Sequence, residues 1–290
     1  MKGWLLVNGF LKSDKFNGLY SFFQKSAEQL NIELELVCSD TLLCEATDGF
    51  SQFERPDFVL FWDKDVVLAK RLENAGFRLF NSAAAVEICD SKTLTSLQLA
   101  GVVPMPKTVY SPKTFESVGY TDLNFVRRAV DALGLPLVVK EAFGSFGQQV
   151  YLARTVEEVE ALVQKLAGKD FLLQQFVAES VGRDIRVNVV GGKVVNAILR
   201  RSVNGDFRSN VTLGGVTEPH EPTQEEIKLA ERACQEVGLD FAGVDILLGA
   251  SGPILCEINS NPHFKSTFDC TGVDLSKNVL QWIVSRVCDV

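Results

Sequence analysis

The chain has 290 residues, of which 46% are hydrophobic and 23% are charged. This length and apolar content suffice for two or three small domains with real cores, which excludes intrinsic disorder, collagen-like repeats and a disulfide scaffold. The 29 Lys and Arg against 37 Asp and Glu give a net charge of −8. That balance argues against a protein whose main role is to bind nucleic acid, because neutralising phosphates requires a dense basic face.

Seven cysteines occur at irregular spacings, without a Cys-x-x-Cys pair or a His at zinc-ligand spacing. We therefore expect free, mostly buried thiols in a reducing compartment. The apolar stretch over residues 4–7 is too short for a signal peptide, and no apolar run reaches the roughly 18 residues of a membrane span. These features predict a soluble, cytoplasmic protein without a membrane partner.

The first part of the chain alternates short apolar strands with helices. Hydrophobic spacing predicts strands over residues 5–7, 32–37 and 58–62 and helices over 19–30 and 66–72. Such alternation builds βαβ units, so we expect an N-terminal α/β domain, residues 1–88, with a mostly parallel sheet.

The second part, residues 89–169, is predicted to be an α+β domain. A helix over 83–88 leads into it, and its expected elements are helices over 92–100 and 123–133 and strands over 137–140 and 150–152. The glycine loop Gly144–Gly147 forms the tip between the two strands. Thr155 and Glu158 have the spacing of a capping box at the start of a further helix that runs to Leu166.

The third part, residues 170–290, reads as antiparallel strands with two helices. The predicted strands cover 171–176, 185–190, 194–199, 242–248 and 254–258. Gly191-Gly192 is a hairpin turn pair between the second and third of these strands. A capping box at Thr223 and Glu226 starts a helix that reaches Val237, and an amphipathic helix covers 275–287.

Two carboxylates and an amide lie near the ends of the last two strands. Asp245 is flanked by apolar residues, and Glu257 and Asn259 are two positions apart on a strand, so their side chains share a face. A carboxylate within an apolar strand costs several kcal/mol unless it is paired or bound to a metal. Three such oxygen donors suit Mg²⁺, while ion pairs of Asp245 and Glu257 with nearby arginines are the alternative.

Lys140 ends an apolar strand and is followed by the loop that contains Gly144 and Gly147. Glycines allow backbone N–H groups to approach an anion closely. The loop lacks the Gly-Lys-Ser/Thr ending of a Walker motif, and a plain turn is the alternative interpretation.

Several arginines follow in this otherwise acidic chain: Arg183, Arg186, Arg200, Arg201 and Arg208. Close to a metal site they indicate a polyanionic ligand, although isolated arginines usually form a solvated basic face. Neither His220 nor His263 has a Ser or Cys nucleophile in a recognisable setting, so a catalytic triad is not expected.

Five short segments, taken in chain order, resemble one known family: residues 184–186, 200, 207–215, 242–247 and 257–262. They are similar to the ATP-grasp superfamily, and most of all to its RimK-type carboxylate–amine ligases, which include the glutamate ligase that extends a small-subunit ribosomal protein. The resemblance covers essentially the whole chain and is strong from about Asp90 onward. It implies an ATP-grasp fold, in which an N-terminal α/β domain precedes two α+β subdomains that hold ATP between them.

The resemblance also implies residue roles. By position, Lys92 and Lys140 match two phosphate-binding lysines, and Gly144, Ser145 and Gly147 match a mobile lid. Gln174, Gln175, Phe176 and Val177 match an adenine hinge, and Glu179 and Asp184 lie toward the ribose. Arg200 and Asn210 match residues near the γ-phosphate.

Metal ligands and catalytic residues follow from the same resemblance. Asp245, Glu257 and Asn259 match the ligands of two Mg²⁺ ions, which Mn²⁺ can replace. The implied catalytic residues are Lys140, Arg200 and Arg208, and either Arg208 or Arg186 meets the acyl phosphate or the substrate carboxylate.

The implied activity is an ATP-dependent ligase that forms an amide bond through an acyl phosphate. It adds an amino acid such as glutamate to a peptide, a protein tail or a small molecule. Its partners are ATP, the amino acid and an amine or carboxylate acceptor, with no nucleic acid, in a homo-oligomer. Two alternatives remain: a ligase acting on an amino-group carrier protein or a coenzyme, and a nucleotide-binding regulatory protein without catalysis.

The chain departs from the family pattern at three places. The residues directly before Gly214-Gly215, 211–213, include no basic side chain. The lid carries the bulky Phe143 and Phe146. Residues 263–266 stand where relatives have glycine and acidic residues. These departures leave the implied use of ATP intact and leave the acceptor open.

Overall fold

The computed structural model describes residues 1–43 and 45–288, so Cys44 of the thiol prediction lies outside the described residues. The other cysteines are free, as expected, but they are less buried than expected: Cys234 is buried, Cys288 is exposed, and the rest are half-buried. No helix in the described ranges is long and apolar enough to cross a membrane.

The N-terminal domain is the predicted α/β layer. Its elements are β1 (Lys2–Val7), α1 (Asp14–Gln29), β2 (Glu33–Cys38), β3 (Phe58–Trp62), α2 (Val66–Asn74) and β4 (Leu79–Phe80). The strand order is β2-β1-β3-β4, and all three pairings are parallel, which confirms the expected parallel sheet. The sequence pattern missed β4, because two residues are too few to show a period.

The second sheet is antiparallel and begins after two short helices. The elements are α3 (Ala83–Asp90), α4 (Lys92–Leu99), β5 (Thr108–Tyr110), α5 (Asn124–Leu133), β6 (Leu137–Glu141), β7 (Val150–Ala153), α6 (Val156–Lys165) and β8 (Phe171–Gln175). The order is β5-β8-β6-β7, so β8 pairs with β5 and β6 although it follows the predicted boundary at 169/170. This sheet therefore draws strands from both sides of that boundary.

The capping box predicted at Thr155 is only half formed. The Thr155 hydroxyl accepts the N–H of Glu158, as expected. The Glu158 carboxylate, however, accepts the N–H of Arg154 at 2.6 Å instead of that of Thr155. The side chain thus satisfies the N–H one residue earlier, and the helix still begins where the spacing places it.

The third sheet has five antiparallel strands. The elements are β9 (Arg183–Val190), β10 (Lys193–Arg201), β11 (Val216–Pro219), α7 (Gln224–Val237), β12 (Phe241–Gly249), β13 (Gly252–Asn259), α8 (Lys265–Thr271) and α9 (Leu275–Cys288), in the strand order β11-β10-β9-β12-β13. Gly191 and Gly192 have φ of 59° and 73°, the left-handed values that a tight hairpin requires, and the capping box at Thr223 is complete.

Alternation along the strands gives each sheet one apolar and one polar face. In β9, Ile185, Val187 and Val189 pack against α7 in a buried core, which leaves the side chains between them on the other face. In β6, Leu137 and Val139 likewise join the core under α5 and α6. The polar faces of the second and third sheets are therefore free to line a cleft.

The buried amide of Asn81 links the N-terminal domain to the third sheet. The Asn81 Nδ2 donates to the carbonyls of Phe241 at 3.0 Å and Ser260 at 2.9 Å, and its Oδ1 accepts the N–H groups of Asp240 at 2.7 Å and Phe241 at 3.2 Å. Four backbone groups near the ends of β12 and β13 thus depend on one side chain.

We expect Asn81→Ala to lower the free energy of unfolding by about 3 kcal/mol, because each buried group left without a partner costs about 1–3 kcal/mol and water can replace some of them. Urea unfolding followed by circular dichroism measures the change. Asn124→Ala, at an exposed side chain bonded to Asp122, is the matched control. Equal losses in the two variants would contradict the linking role of Asn81.

Candidate active site between the second and third sheets

A cleft of about 750 Å³, including its open mouth, separates the two polar sheet faces. Most of the predicted site residues line it: Lys140, Gly147, Gln174, Gln175, Phe176, Val177, Asp184, Arg200, Arg208, Asn210, Asp245 and Glu257. A second cavity of about 550 Å³ shares Lys140, Gln174 and Glu257 with it and adds Lys92, Gly144 and Asn259. Residues spread over more than 160 positions of the chain therefore meet at one place.

Four buried charges form a network across β9, β10 and β12. Arg200 holds both oxygens of Asp184 at 2.6 and 2.5 Å and also contacts Asp245 at 3.0 Å. Arg186 forms a bidentate pair with Asp245 through Nε and through Nη2 at 2.8 Å. The charges sum to zero, which is the arrangement that buried ions require.

The two aspartates respond differently to this network. Burial would raise the pKa of Asp245, but the guanidinium groups of Arg186 and Arg200 outweigh it and lower that pKa to about 2. Burial raises the pKa of Asp184, and Arg200 only partly offsets it. The cause of the difference is the number of cations, because Asp245 lies between two arginines and Asp184 faces one.

The alternative interpretation of Asp245 as an ion-pair residue therefore matches what the structure contains. Both of its oxygens accept bonds from arginines. The alternative of a solvated basic face does not hold for Arg186 and Arg200, which are 9% and 6% exposed.

Glu257 and Asn259 lie side by side, as their spacing predicts. The Asn259 Nδ2 donates to Glu257 Oε1 at 3.2 Å, and both residues line the smaller cavity. Within the described ranges, no group of three His, Cys, Asp or Glu side chains is arranged to hold a metal. A carboxylate and an amide oxygen nevertheless fit a hard cation that takes its remaining ligands from phosphates and water.

Two lysines line the smaller cavity near Glu257. The Lys92 Nζ donates to the Gly144 carbonyl at 3.0 Å, and the Lys140 Nζ lies 3.8 Å from the Cys256 sulfur. Burial lowers the pKa of Lys92, the charge of Glu257 opposes this shift, and the charge of Lys140 adds to it. An anion bound among these groups would favour the charged form of Lys92 and so raise its pKa back toward the ordinary value.

Cys256 enters the cleft because of a β-bulge. Asp245 pairs with Glu257, but the next residue, Ile246, pairs with Leu255, so Cys256 is the extra residue in β13. It therefore lines the cleft together with its neighbour Glu257. Period-two reasoning places it on the opposite face, so the sequence pattern could not identify it.

The glycine loop closes over the cleft. Gly144 and Gly147 have φ of 140° and 73°, which other residues rarely adopt. The Arg208 Nη1 donates to the Gly147 carbonyl at 2.5 Å, while its other nitrogens pair with Asp206. A Cβ atom on Gly147 would lie 2.8 Å from Asn210 Oδ1, so this glycine is required for the close approach.

Three predicted residues do not line either cavity. Ser145 accepts a bond from Lys64 at 3.3 Å, Glu179 is exposed and bonds Arg183 through its carbonyl, and Arg186 lies behind Asp245. Arg183, one of the arginines noted in the sequence, also lines the cleft. The lining residues to which the sequence pattern assigned no individual role are Val138, Val150, Ser180, Val181, Phe207, Ser209, Leu247 and Cys256 in the cleft, and Lys64, Cys89, Asp90, Thr95, Ser96, Met105, Leu172, Leu255 and Ile258 in the smaller cavity. Val138 and Leu247 stand two positions from Lys140 and Asp245, so period two could have found them.

His263 joins the segment after β13 to the N-terminal domain. Its Nε2 lies 3.4 Å from the Lys15 carbonyl oxygen, and its ring meets Phe16 edge to face. Burial lowers its pKa to about 4, and the charge of Lys15 adds to the shift.

A pKa below the ordinary 6.5 means that the unfolded chain binds a proton before the folded chain does. The resulting stability is fully present above pH 6.5 and is lost as the pH falls toward 4. We expect the wild type to lose about 2 kcal/mol more than His263→Gln between pH 7 and 4.5, as measured by urea unfolding. Equal losses of unfolding free energy in the wild type and in His263→Gln would contradict the assignment of this pH dependence to His263.

The chain is similar to several known proteins. Residues 95–283 match the model of the RimK-like ATP-grasp domain family. A Mycoplasma pneumoniae protein named "uncharacterized protein MG012 homolog" is 32% identical over 242 residues, 81% of this chain and 83% of that protein. Beta-citrylglutamate synthase B of Danio rerio is 34% identical over 226 residues, 77% of this chain and 54% of that one.

The ribosomal protein bS6–L-glutamate ligase of Salmonella paratyphi B is 43% identical over 152 residues, 52% of this chain and 51% of that enzyme. The matches thus span about half the length of these two named enzymes. The crystal structure of a RimK domain ATP-grasp protein from Sphaerobacter thermophilus aligns with a TM-score of 0.70 at 19% identity, over 98% of this chain and 100% of that one. This likeness confirms the expected ATP-grasp fold, and the chain belongs to the RimK-like ATP-grasp family, whose members bind ATP with divalent metals.

Proposed function

We propose that the protein is an ATP-dependent carboxylate–amine ligase that adds glutamate to an acceptor carboxylate. The observation that supports this most is the convergence of Lys92, Lys140, Arg200 and Glu257 on the cleft between the two sheets and on the smaller cavity that shares Lys140 and Glu257 with it. Cations gathered at one end of a cleft suit a polyphosphate, and an adjoining carboxylate suits the metal that accompanies it.

The nucleotide base occupies the end of the cleft that is lined by residues 174–177 in this proposal. Phe176 and Val177 provide apolar surface, and Val138 and Leu247 lie on the two facing sheets. Backbone groups just after β8 are available to read the base edge, since the strand ladder ends at Gln175. Glu179 and Asp184 are proposed toward the ribose, although Asp184 is already bound by Arg200.

The phosphates extend toward the lysines. Lys92 and Lys140 neutralise them, while the backbone of Gly144, Ser145 and Gly147 covers them. Glu257 and Asn259 hold Mg²⁺, beside the Asp245 carboxylate that Arg186 and Arg200 orient. When bound, two such ions, or Mn²⁺ in their place, neutralise charge on the transferring phosphoryl group.

The chemistry proceeds in two steps. An acceptor carboxylate oxygen attacks the γ-phosphorus, so ADP leaves and an acyl phosphate forms. The amine of glutamate then attacks the acyl carbon, and phosphate leaves after a tetrahedral intermediate. Arg200 and Arg208 offer donors to the developing charge, where one such donor contributes about 3 kcal/mol. No covalent enzyme nucleophile is needed, which agrees with the absence of a recognisable triad in the sequence.

Glutamate is proposed because two relatives with different acceptors share it in their names, the citrylglutamate synthase and the bS6–glutamate ligase. The lid keeps water from the acyl phosphate, since Arg208, in the segment between β10 and β11, bonds the Gly147 carbonyl of the lid.

The test is ADP release from ATP with a panel of amino acids and the acceptors citrate, N-acetylaspartate and a peptide that ends in two glutamates. We expect turnover that requires both glutamate and one acceptor, with the product mass raised by one glutamyl unit. ATP binding that survives Asp245→Asn plus Glu257→Gln, together with no amino-acid-dependent turnover, would instead favour a nucleotide-binding regulatory protein.

A further inference from the structure

The smaller cavity contains a third lysine that belongs to the N-terminal domain. Lys64 follows β3 and lines this cavity together with Lys92, Lys140 and Glu257. The two other lysines lie on β6 and at the start of α4, where the nucleotide phosphates are proposed. Lys64 therefore approaches the same cavity from a separate element and is not needed to explain the nucleotide site.

Lys64 is positioned where parallel sheets commonly bind ligands. The strand order β2-β1-β3-β4 reverses direction between β1 and β3, and Lys64 lies just past the carboxyl end of β3. Ligands of open α/β sheets bind in the crevice at such a reversal point. The N-terminal sheet thus directs a cation into the cavity at its own natural binding position.

Hydrogen bonds at this point leave donors and acceptors available. The Lys64 Nζ contacts Asp90 at 3.0 Å and Ser145 of the lid at 3.3 Å, and its side chain is one third exposed. An ammonium group has three donors, so one remains for a ligand. Asp63 Oδ1 accepts the Lys64 N–H at 2.6 Å and a bond from Asn8, whereas its buried Oδ2 has no hydrogen-bond partner among the described residues.

Charge in the cavity also favours an anion. Three lysines line it, against the two carboxylates Asp90 and Glu257. The acceptor carboxylate must come close to the ATP phosphates, and two anions repel each other unless a cation lies between them. Lys64 supplies that cation from the side opposite the nucleotide.

We propose, building on the function proposed above, that the crevice at the carboxyl ends of β1 and β3 is the acceptor site and that Lys64 binds a carboxylate of the acceptor there. Lys64 then selects acidic acceptors, and its bond to Ser145 couples acceptor binding to the closed lid. Asp63 fixes the backbone of Lys64, because its Oδ1 accepts the Lys64 N–H.

The experiment compares Lys64→Gln and Lys64→Arg with Lys70→Gln. Lys70 is the matched control because it lies in the same domain and pairs with Glu87, just as Lys64 pairs with Asp90, yet it lines neither cavity. Initial rates are measured while the acceptor, ATP and glutamate are each varied in turn, with whichever of citrate, N-acetylaspartate or the diglutamyl peptide the wild type uses. Thermal unfolding verifies that each variant is folded.

We expect Lys64→Gln to raise the KM of the acceptor at least tenfold, with the KM of ATP changed less than twofold. Lys64→Arg recovers part of the acceptor affinity, and Lys70→Gln behaves as the wild type does. An unchanged acceptor KM, or an equal rise in the KM of ATP, would overturn the assignment, since the latter places Lys64 in the nucleotide site.

A binding measurement keeps this inference separate from the proposed function. If the wild type turns over none of the three acceptors, the proposed function fails for them. Calorimetric titration of citrate into the protein with Mg²⁺ and a non-hydrolysable ATP analogue then decides about Lys64. Citrate binding that Lys64→Gln weakens at least tenfold supports the anion site, and citrate binding that is absent or equal in the two proteins refutes it.

Discussion

The Glu257→Gln variant is expected to fold as the wild type does and to lose at least a hundredfold in turnover. Glu257 lines both cavities, next to Asn259 and close enough to Lys92 for its charge to oppose the lowering of the Lys92 pKa. Glutamine keeps the size of the side chain and can still bond Asn259, but it removes a carboxylate of the proposed metal site that pairs with no arginine among the described residues. Loss of this charge compensation raises the activation barrier of phosphoryl transfer by several kcal/mol.

Steady-state kinetics with Mg²⁺ varied at saturating ATP measures this effect. The matched control is Glu236→Gln, which removes a carboxylate from a surface pair with Arg232 at 3.2 Å. We expect the control to retain full activity, because exposed pairs of this kind contribute little. Kinetics of Glu257→Gln close to those of the wild type at saturating Mg²⁺ would refute the metal assignment.

Much of the site could be predicted because it follows from strand periodicity. Asp184 and Arg186 alternate with apolar residues along β9, and the apolar set is the one that packs against α7. A polar residue that alternates with a buried core must face the other side of its sheet. The family resemblance then assigned residues of both subdomains to one ATP site, which periodicity alone does not do.

What the sequence could not show depends on long-range pairing. The sequence pattern grouped β8 with the strands that follow it. Its hydrogen bonds run instead to β5 and β6, and these pairings join residues that are far apart in the chain. The bulge at Cys256 reverses the face of one residue, and only the partner strand reveals it. Lys64 was not singled out in the sequence, because its contact with Ser145 spans 81 positions.

Arg200→Met is expected to be the most destabilising single change in the cleft. Its guanidinium is the partner of both Asp184 and Asp245, all three side chains are buried, and Arg186 contacts only Asp245. Methionine fills a similar volume but leaves the Asp184 carboxylate without its cation. Removing one partner of a buried ion pair costs about 3–5 kcal/mol, and turnover should fall at least a hundredfold as well, because Arg200 also faces the proposed phosphoryl group.

Arg201→Met provides the control, since the next residue of β10 faces the opposite side of the sheet and pairs at the surface with Glu218 at 3.3 Å. We expect its unfolding free energy to change by less than about 1 kcal/mol. The double variant Asp184→Asn plus Arg200→Met should recover part of the lost stability, because the buried charge is then removed, but none of the activity. Equal stabilities of the single and double variants would contradict the network.

The deficit of Arg200→Met should also shrink in acid. Burial already raises the pKa of Asp184 with Arg200 present, and loss of the guanidinium raises that pKa further. A carboxyl whose folded pKa lies above its unfolded value destabilises the fold when it is charged. The penalty is therefore largest above the raised pKa and shrinks as the pH falls from there toward the unfolded pKa. Urea unfolding at pH 7.5 and pH 5 should therefore show a smaller difference between wild type and variant at the lower pH. A difference that grows in acid would mean that Asp184 is not the group left unpaired.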